Sequence, residues 1–303
     1  MKAVLIKPYF EYISNALPNV DFYKTVDECR DAEVLIGLSA NTAVDNLEQM
    51  PNLKWIQLLS AGYDMIDLEY LNKRKIMLTN GRGIYSIPIA EDVVCKILMS
   101  SCNVLKYVNN QQNRIWQTIK GREELCGKTV GIIGTGSIAS EIAKRLQGFG
   151  VNIIGYKRSP VDSMMFFDEV YLGEDKLNYV LSTSDYIVIT VDLNDSTYHM
   201  LNESNLKYLK EDASIINVAR GSIINQKHLT EILKSKKIKY AGLDVFEKEP
   251  LEEDDTLWDL DNVYITPHAS GITVKNKDKM HKLIIDNINR YINDEPLLNV
   301  VTK

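Results

Sequence analysis

The sequence predicts an α/β protein built from two doubly wound parallel sheets, and three observations carry that reading. Short apolar runs rich in Val and Ile alternate with longer stretches of helical periodicity along the whole chain. The apolar runs fall into two groups, four up to residue 80 and six from residue 129 onward. At 129–146 a strand, a glycine-rich turn and an amphipathic helix follow one another directly.

In the first group, "AVLI" (3–6), "EVLIGL" (33–38), "KWIQLL" (54–59) and "KIMLTN" (75–80) have the length and β-branched content of strands buried on both faces. The stretch 87–112 then places Val93, Val94, Ile97, Leu98, Val104, Leu105 and Val108 at helical spacing, and it is long enough to be one helix linking two lobes. The second group follows: "TVGIIG", "VNIIGY", "YIVITV", "SIINVA", "YAGLDV" and "VYITPH". A last helix is expected from Met280, Leu283, Ile284, Ile288 and Ile292.

Composition excludes several classes of function. A net charge of −6 is unlike the broad basic excess of a nucleic-acid surface. No run approaches 18 apolar residues, and the N-terminus lacks a signal-peptide pattern, so no membrane partner and a cytoplasmic location are expected. Cys29, Cys95, Cys102 and Cys126 show neither CxxC pairs nor metal-type spacing with histidine. They are expected to be reduced, mostly buried thiols, and no metal site is expected.

The turn after the fifth predicted strand reads Gly134-x-Gly136-x-x-Ala139. In that pattern the first small residue permits the tight turn, the second lets the backbone approach a pyrophosphate, and the third lets helix and strand pack closely. The free N–H groups of the helix start, at Ser137 and Ile138, are then the phosphate donors. The next strand ends at Lys157, Arg158 and Ser159, where the adenine ribose of a dinucleotide sits. An acidic residue there selects NAD. Two cations and a hydroxyl, with no acid until Asp162, point to the 2′-phosphate of NADP, with NAD as the other possible cofactor.

"ELCGKTVGIIGTGSIA", "NVARGSIIN", "AGLDVFEKEP" and "ITPHASG", in this order, resemble the D-isomer-specific 2-hydroxyacid dehydrogenases. The resemblance runs from "LLSAGYDMID" to "NDEPLLNVV". It implies a Rossmann cofactor domain, 99–272, inserted into a flavodoxin-like substrate domain made of 1–98 and 273–303, with the active site in the cleft. It also implies a homodimer joined through the cofactor domain. Arg220, Glu249 and His268 match the family's catalytic positions. Asp244 matches the aspartate near the nicotinamide carboxamide, and Ala61 with Gly62 the loop whose amides receive the substrate carboxylate.

The chemistry asks for the same residue types. Reduction of a 2-oxo acid needs a cation on the carboxylate and carbonyl, which the guanidinium fork of Arg220 supplies. It also needs a proton donor such as His268, and a carboxylate such as Glu249 to favour the imidazolium. Pro267 is expected to stop its strand and fix where His268 points. Tyr63 and Tyr85 are candidate pocket walls, and Val191-Asp192-Leu193 departs from the family's usual Leu-Pro. The expected reaction is reduction of a small 2-oxo acid, of the glyoxylate or hydroxypyruvate type, to a D-2-hydroxy acid by NADPH. A formate dehydrogenase of the same family and a non-catalytic nicotinamide-sensing corepressor are the alternatives. The first has no use for a histidine–glutamate proton relay, and the second calls for long extensions that this chain does not show.

Overall fold

A computed structural model describes residues 1–6, 9–38, 47–158 and 165–301. The chain runs β1 (Lys2–Leu5), α1 (Phe10–Ala16), β2 (Asp21–Tyr23), β3 (Val34–Leu38), β4 (Trp55–Leu58), α2 (Leu68–Lys73) and β5 (Met77–Thr79). Then come α3 (Ser86–Ser101), α4 (Val104–Gln112), β6 (Thr129–Ile133), α5 (Ser137–Leu146), β7 (Asn152–Lys157), β8 (Glu169–Leu172), α6 (Leu177–Thr183) and β9 (Tyr186–Ile189). The chain continues through α7 (Glu203–Leu206), β10 (Ser214–Asn217), α8 (Gln226–Lys234), β11 (Tyr240–Leu243), β12 (Val263–Ile265) and α9 (Asn276–Ile292). It divides into two compact units, Met1–Tyr85 with Thr273–Lys303, and Ser86–Ile272.

The first unit holds a five-stranded parallel sheet in the order β2-β1-β3-β4-β5. Successive strand residues point to opposite faces, and both faces are apolar. Val4, Leu35 and Ile56 join one buried cluster, and Ala3, Leu5, Ile36 and Trp55 join the other. The second cluster is closed by Met280, Ile284 and Ile288, spaced one turn apart on α9. That spacing is why the C-terminal helix returns to the N-terminal sheet.

The second unit holds a seven-stranded parallel sheet in the order β12-β11-β10-β9-β6-β7-β8. Strands β9, β10 and β11 are buried along their whole length, as expected for central strands covered on both faces. The order reverses at β6, which lies between β9 and β7. In open parallel sheets such a switch opens a crevice at the strands' carboxyl ends.

Four expectations need correcting. Strands β2 and β8 were not anticipated, because "DFY" and "EVYL" are short edge strands with partly exposed residues. The helix expected over 87–112 is broken at Asn103, whose backbone is left-handed (φ 54°), and α4 buries none of its residues. The boundary expected at 98/99 falls inside α3. That helix goes with the second unit, since the Lys96 stem lies against Gly242 of β11 and Ser100 Oγ meets Ser214 Oγ of β10 at 2.8 Å. Of the four free cysteines only Cys29 is buried, while Cys95 and Cys126 are exposed. Among the described residues no helix is long and apolar enough to cross a membrane.

Candidate active site

Gly134 follows β6 with φ 107°, a conformation that side chains rarely adopt, and its N–H donates to Tyr156 O of β7 (2.9 Å). A Cβ at Gly134 would lie 2.7 Å from Thr190 Oγ1, so the turn packs directly on the end of β9. Gly136 differs, because a Cβ there meets nothing within 4 Å. Its bare backbone therefore faces open space at the N-cap of α5, a ten-residue helix whose first-turn N–H groups receive no side-chain cap. Ser137 and Ile138 stand in that first turn. Thr135 Oγ1, one residue before the cap, is buried without a hydrogen-bond partner among the described residues. A pyrophosphate fits this cradle, since it accepts from the free amides and from a threonine hydroxyl.

Lys157 closes β7 and the exposed Arg158 follows it. Neither forms an ion pair among the described residues, and Ser159 lies outside them. The structure adds two acids that the local sequence did not reveal. Lys157 pairs with Leu172 of β8, and the chain then turns through Gly173 to Glu174 and Asp175. Burial pushes the Tyr156 hydroxyl above its ordinary value, the Arg158 charge opposes the rise, and Glu174 and Asp175 reinforce it. The field at this strand end is therefore mixed in sign.

The loops after β10, β11 and β12 bring the three candidate catalytic side chains together. Gly221 makes the approach possible, because a Cβ there would lie 1.8 Å from the carbonyl carbon of Phe246. The loop carrying Arg220 is thus pressed against the loop carrying Glu249. Phe246 N–H donates to Glu249 Oε1 (3.0 Å), and Glu249 Oε2 meets His268 Nδ1 at 2.8 Å. An ionised carboxylate only accepts, so Nδ1 carries the proton and Nε2 is left to face a ligand. Burial works against ionisation of Glu249, but the His268 and Phe246 hydrogen bonds and the His268 and Arg220 charges outweigh it and hold the carboxyl below its ordinary value. The hydrogen bond to Glu249 raises the His268 imidazole above its ordinary value, against opposing contributions from burial and Arg220.

Asp244, at the end of β11, is 1% exposed. Its Oδ1 accepts from Thr266 Oγ1 (2.5 Å) and Ala269 N (2.9 Å), and its Oδ2 from Ser270 Oγ (2.5 Å), while Ser270 N lies 3.1 Å from both oxygens. In the first unit, the loop after β4 has four successive carbonyls engaged. Leu59 O accepts from Tyr85 Oη, Ser60 O from Gly81 N, Ala61 O from Asn80 Nδ2 and Gly62 O from Ser60 Oγ. Among the described residues the N–H groups of Ser60, Ala61 and Gly62 donate to nothing, which makes them a row of amides suited to an anion.

Comparison with known proteins places the chain in a family. The family described as D-isomer specific 2-hydroxyacid dehydrogenase, NAD binding domain, matches residues 94–270. The chain belongs to the D-isomer specific 2-hydroxyacid dehydrogenase family. A glyoxylate reductase of Korarchaeum cryptofilum is 31% identical to this family member over 287 residues, spanning 92% of this chain and 85% of the relative. A D-isomer specific 2-hydroxyacid dehydrogenase family protein from Aeromonas salmonicida shares 30% identity with a TM-score of 0.86, over 99% of this chain and 98% of that one. A third dehydrogenase, from Xanthobacter autotrophicus, was solved with NADPH and MES. It shares 25% identity with a TM-score of 0.84, over 99% of this chain and 97% of that one. This 2-hydroxyacid dehydrogenase is accordingly an NAD(P)-dependent oxidoreductase of α/β fold with a Rossmann-type cofactor domain.

Sequence reasoning singled out Gly134, Gly136, Arg220, Glu249 and His268, and the structure sets each in a connection that follows a strand of the second unit. It passed over Asn80, whose amide holds the Ala61 carbonyl. A polar residue directly after the apolar strand "IMLT" was the available signal. Tyr85, a candidate pocket wall, donates to Leu59 O, and burial first, then the neighbouring Tyr9, pushes its hydroxyl up to about 12.

Proposed function

We propose that this dehydrogenase reduces a small 2-oxo acid, of the glyoxylate or hydroxypyruvate class, to the D-2-hydroxy acid with NADPH as the favoured cofactor. The single observation that carries the reading is the His268 Nδ1–Glu249 Oε2 contact at 2.8 Å beside Arg220. The nicotinamide supplies the hydride when bound. His268 Nε2 holds the proton that goes to the substrate oxygen, Glu249 keeps the imidazole protonated and oriented, and Arg220 grips the carboxylate and polarises the carbonyl. The same pair argues against formate oxidation, which has no proton to deliver. Residues 86–272 carry the cofactor on Gly134, Gly136, Ser137 and Ile138, with Asp244 near the carboxamide. Residues 1–85 and 273–303 carry the substrate amides of Ala61 and Gly62.

Similarity to the Korarchaeum glyoxylate reductase supports the substrate class, and the NADPH complex of the Xanthobacter relative supports the cofactor. Lys157 and Arg158, both without ion pairs among the described residues, are the residues that receive the 2′-phosphate. A homodimer forms through the second unit, since α4 buries none of its own residues and the segment there exposes Tyr107, Val108, Ile115 and Trp116. The test is a panel of 2-oxo acids assayed with NADPH and NADH. Arg158→Ala should raise the KM for NADPH by about tenfold or more, through loss of a charge-assisted hydrogen bond, and leave that for NADH nearly unchanged. A higher specificity constant with NADH in the unmodified protein returns the assignment to NAD. A sedimentation mass of one chain at micromolar concentration refutes the dimer.

A further inference from the structure

We propose that the buried Lys96, with the partly buried Asp92 and Thr266, forms a hydrogen-bonded relay that positions the His268 loop through Asp244. The proposal rests on the reading of His268 as the proton donor. Lys96 sits in the middle of α3 and is 0% exposed. Its stem lies against Gly242, its ammonium stands 5.6 Å from the centroid of the Tyr264 ring, and it pairs with Asp92 one turn earlier. Lysine is almost never fully buried unless paired, and a well-packed apolar residue would stabilise such a place as well or better. Its ammonium therefore invites a functional account, and Thr266 provides one.

Lys96 Nζ donates to Thr266 Oγ1 at 3.1 Å. An ammonium has no acceptor, so the hydroxyl must accept from Lys96 and send its own proton to Asp244 Oδ1, 2.5 Å away. Asp244 in turn anchors three consecutive amides. Its backbone carbonyl accepts from His268 N (2.8 Å), and its carboxylate takes Ala269 N and Ser270 N. His268 has φ 51°, a left-handed conformation uncommon for a non-glycine residue. The anchored loop holds it, and in that conformation the imidazole meets Glu249. The charge pair on α3 thus orients one hydroxyl, the hydroxyl orients one carboxylate, and the carboxylate holds the loop of the acid-base group.

The test compares four variants in glyoxylate reduction with NADPH: Thr266→Val, Thr266→Ser, the double variant Asp92→Asn/Lys96→Met, and His268→Ala. Thr266→Val removes the relay hydroxyl at nearly constant volume. It should lower kcat by roughly five- to tenfold, about what one hydrogen bond is worth, with the KM for NADPH unchanged. The alkaline limb of its pH profile should move to lower pH as the Glu249 contact loosens. Glu249, Arg220 and Asp244 are the charged groups that bear on His268, and none is altered in these relay variants, so the limb reports geometry. Thr266→Ser should restore both kcat and the limb, and the double variant should behave as Thr266→Val. A merely structural plug predicts lower melting temperatures with kcat and the pH limb unmoved, and that result overturns the relay. Should Thr266→Val fail to fold, the double variant decides by the same criteria. Near-normal turnover of His268→Ala overturns the proton-donor reading itself. A large loss in His268→Ala with no change in Thr266→Val or the double variant overturns the relay alone.

Discussion

Replacing Glu249 with glutamine keeps the shape of the side chain and removes its charge, which isolates the electrostatic half of the 2.8 Å contact with His268. In the native protein that contact raises the imidazole, so the protonated form persists to higher pH. Reduction uses imidazolium, and its rate therefore falls only as pH climbs through the raised value. In the variant the alkaline limb of kcat/KM should move to lower pH. The reverse oxidation uses neutral imidazole, and its acidic limb should move the same way. A hydrogen bond between charged groups contributes about 1.5–3 kcal/mol. The two side chains are 50% and 37% exposed, so solvent screening reduces the figure to about 1 kcal/mol. Reduction should then slow roughly fivefold on the alkaline side and hardly at all at acid pH, where the imidazole is protonated in both proteins. Steady-state rates across a pH series, followed by nicotinamide absorbance, measure this. An unmoved limb, or an equal loss at every pH, refutes the argument. Stability offers a second readout. The raised His268 contributes below its unfolded pKa and loses that contribution as pH rises through the folded value. The lowered Glu249 contributes above its unfolded pKa and loses it as pH falls through the folded value. The difference in denaturant midpoint between the two proteins should peak between these limits and vanish on both sides.

Other substitutions test other links. Arg220→Lys should raise the KM for the 2-oxo acid about tenfold or more, because an ammonium cannot replace a planar fork, while nicotinamide affinity measured by fluorescence titration stays unchanged. Gly221→Ala should lower the melting temperature and abolish turnover together. A Cβ placed 1.8 Å from the Phe246 carbonyl carbon forces backbone apart, at a cost above the ~1–3 kcal/mol usual for overpacking. His281→Phe should stabilise the first unit by about 1 kcal/mol, since His281 Nε2 is buried without a partner among the described residues while its ring stacks on Tyr12 at 4.0 Å. Burial holds that imidazole below its ordinary value, so the unfolded chain takes up the proton first and stability falls as pH drops below the ordinary histidine value. The phenylalanine variant should lose that acid dependence in urea titrations.

Periodicity and turn chemistry determined much of this protein without reference to any distant contact. Runs such as "TVGIIG" and "SIINVA" can bury both faces only as central parallel strands, and the spacing of Met280, Ile284 and Ile288 commits α9 to an apolar surface. Glycine at 134 announces its turn because few other residues tolerate φ 107°. Arg220, Glu249 and His268 were singled out by resemblance to the family, and their position after predicted strands, where parallel sheets present ligands, agreed with it. What the sequence did not contain were interactions between residues remote along the chain. The left-handed His268 depends on Asp244, 24 positions earlier, and the buried charge of Lys96 meets Thr266, 170 positions later. Glu174 and Asp175 approach the Lys157 turn only because an edge strand too short to show periodicity folds beside β7. Local pattern records which face of an element is buried. Only the packed structure decides which buried polar group finds which partner, because that choice is made by geometry across elements and leaves no period in the chain.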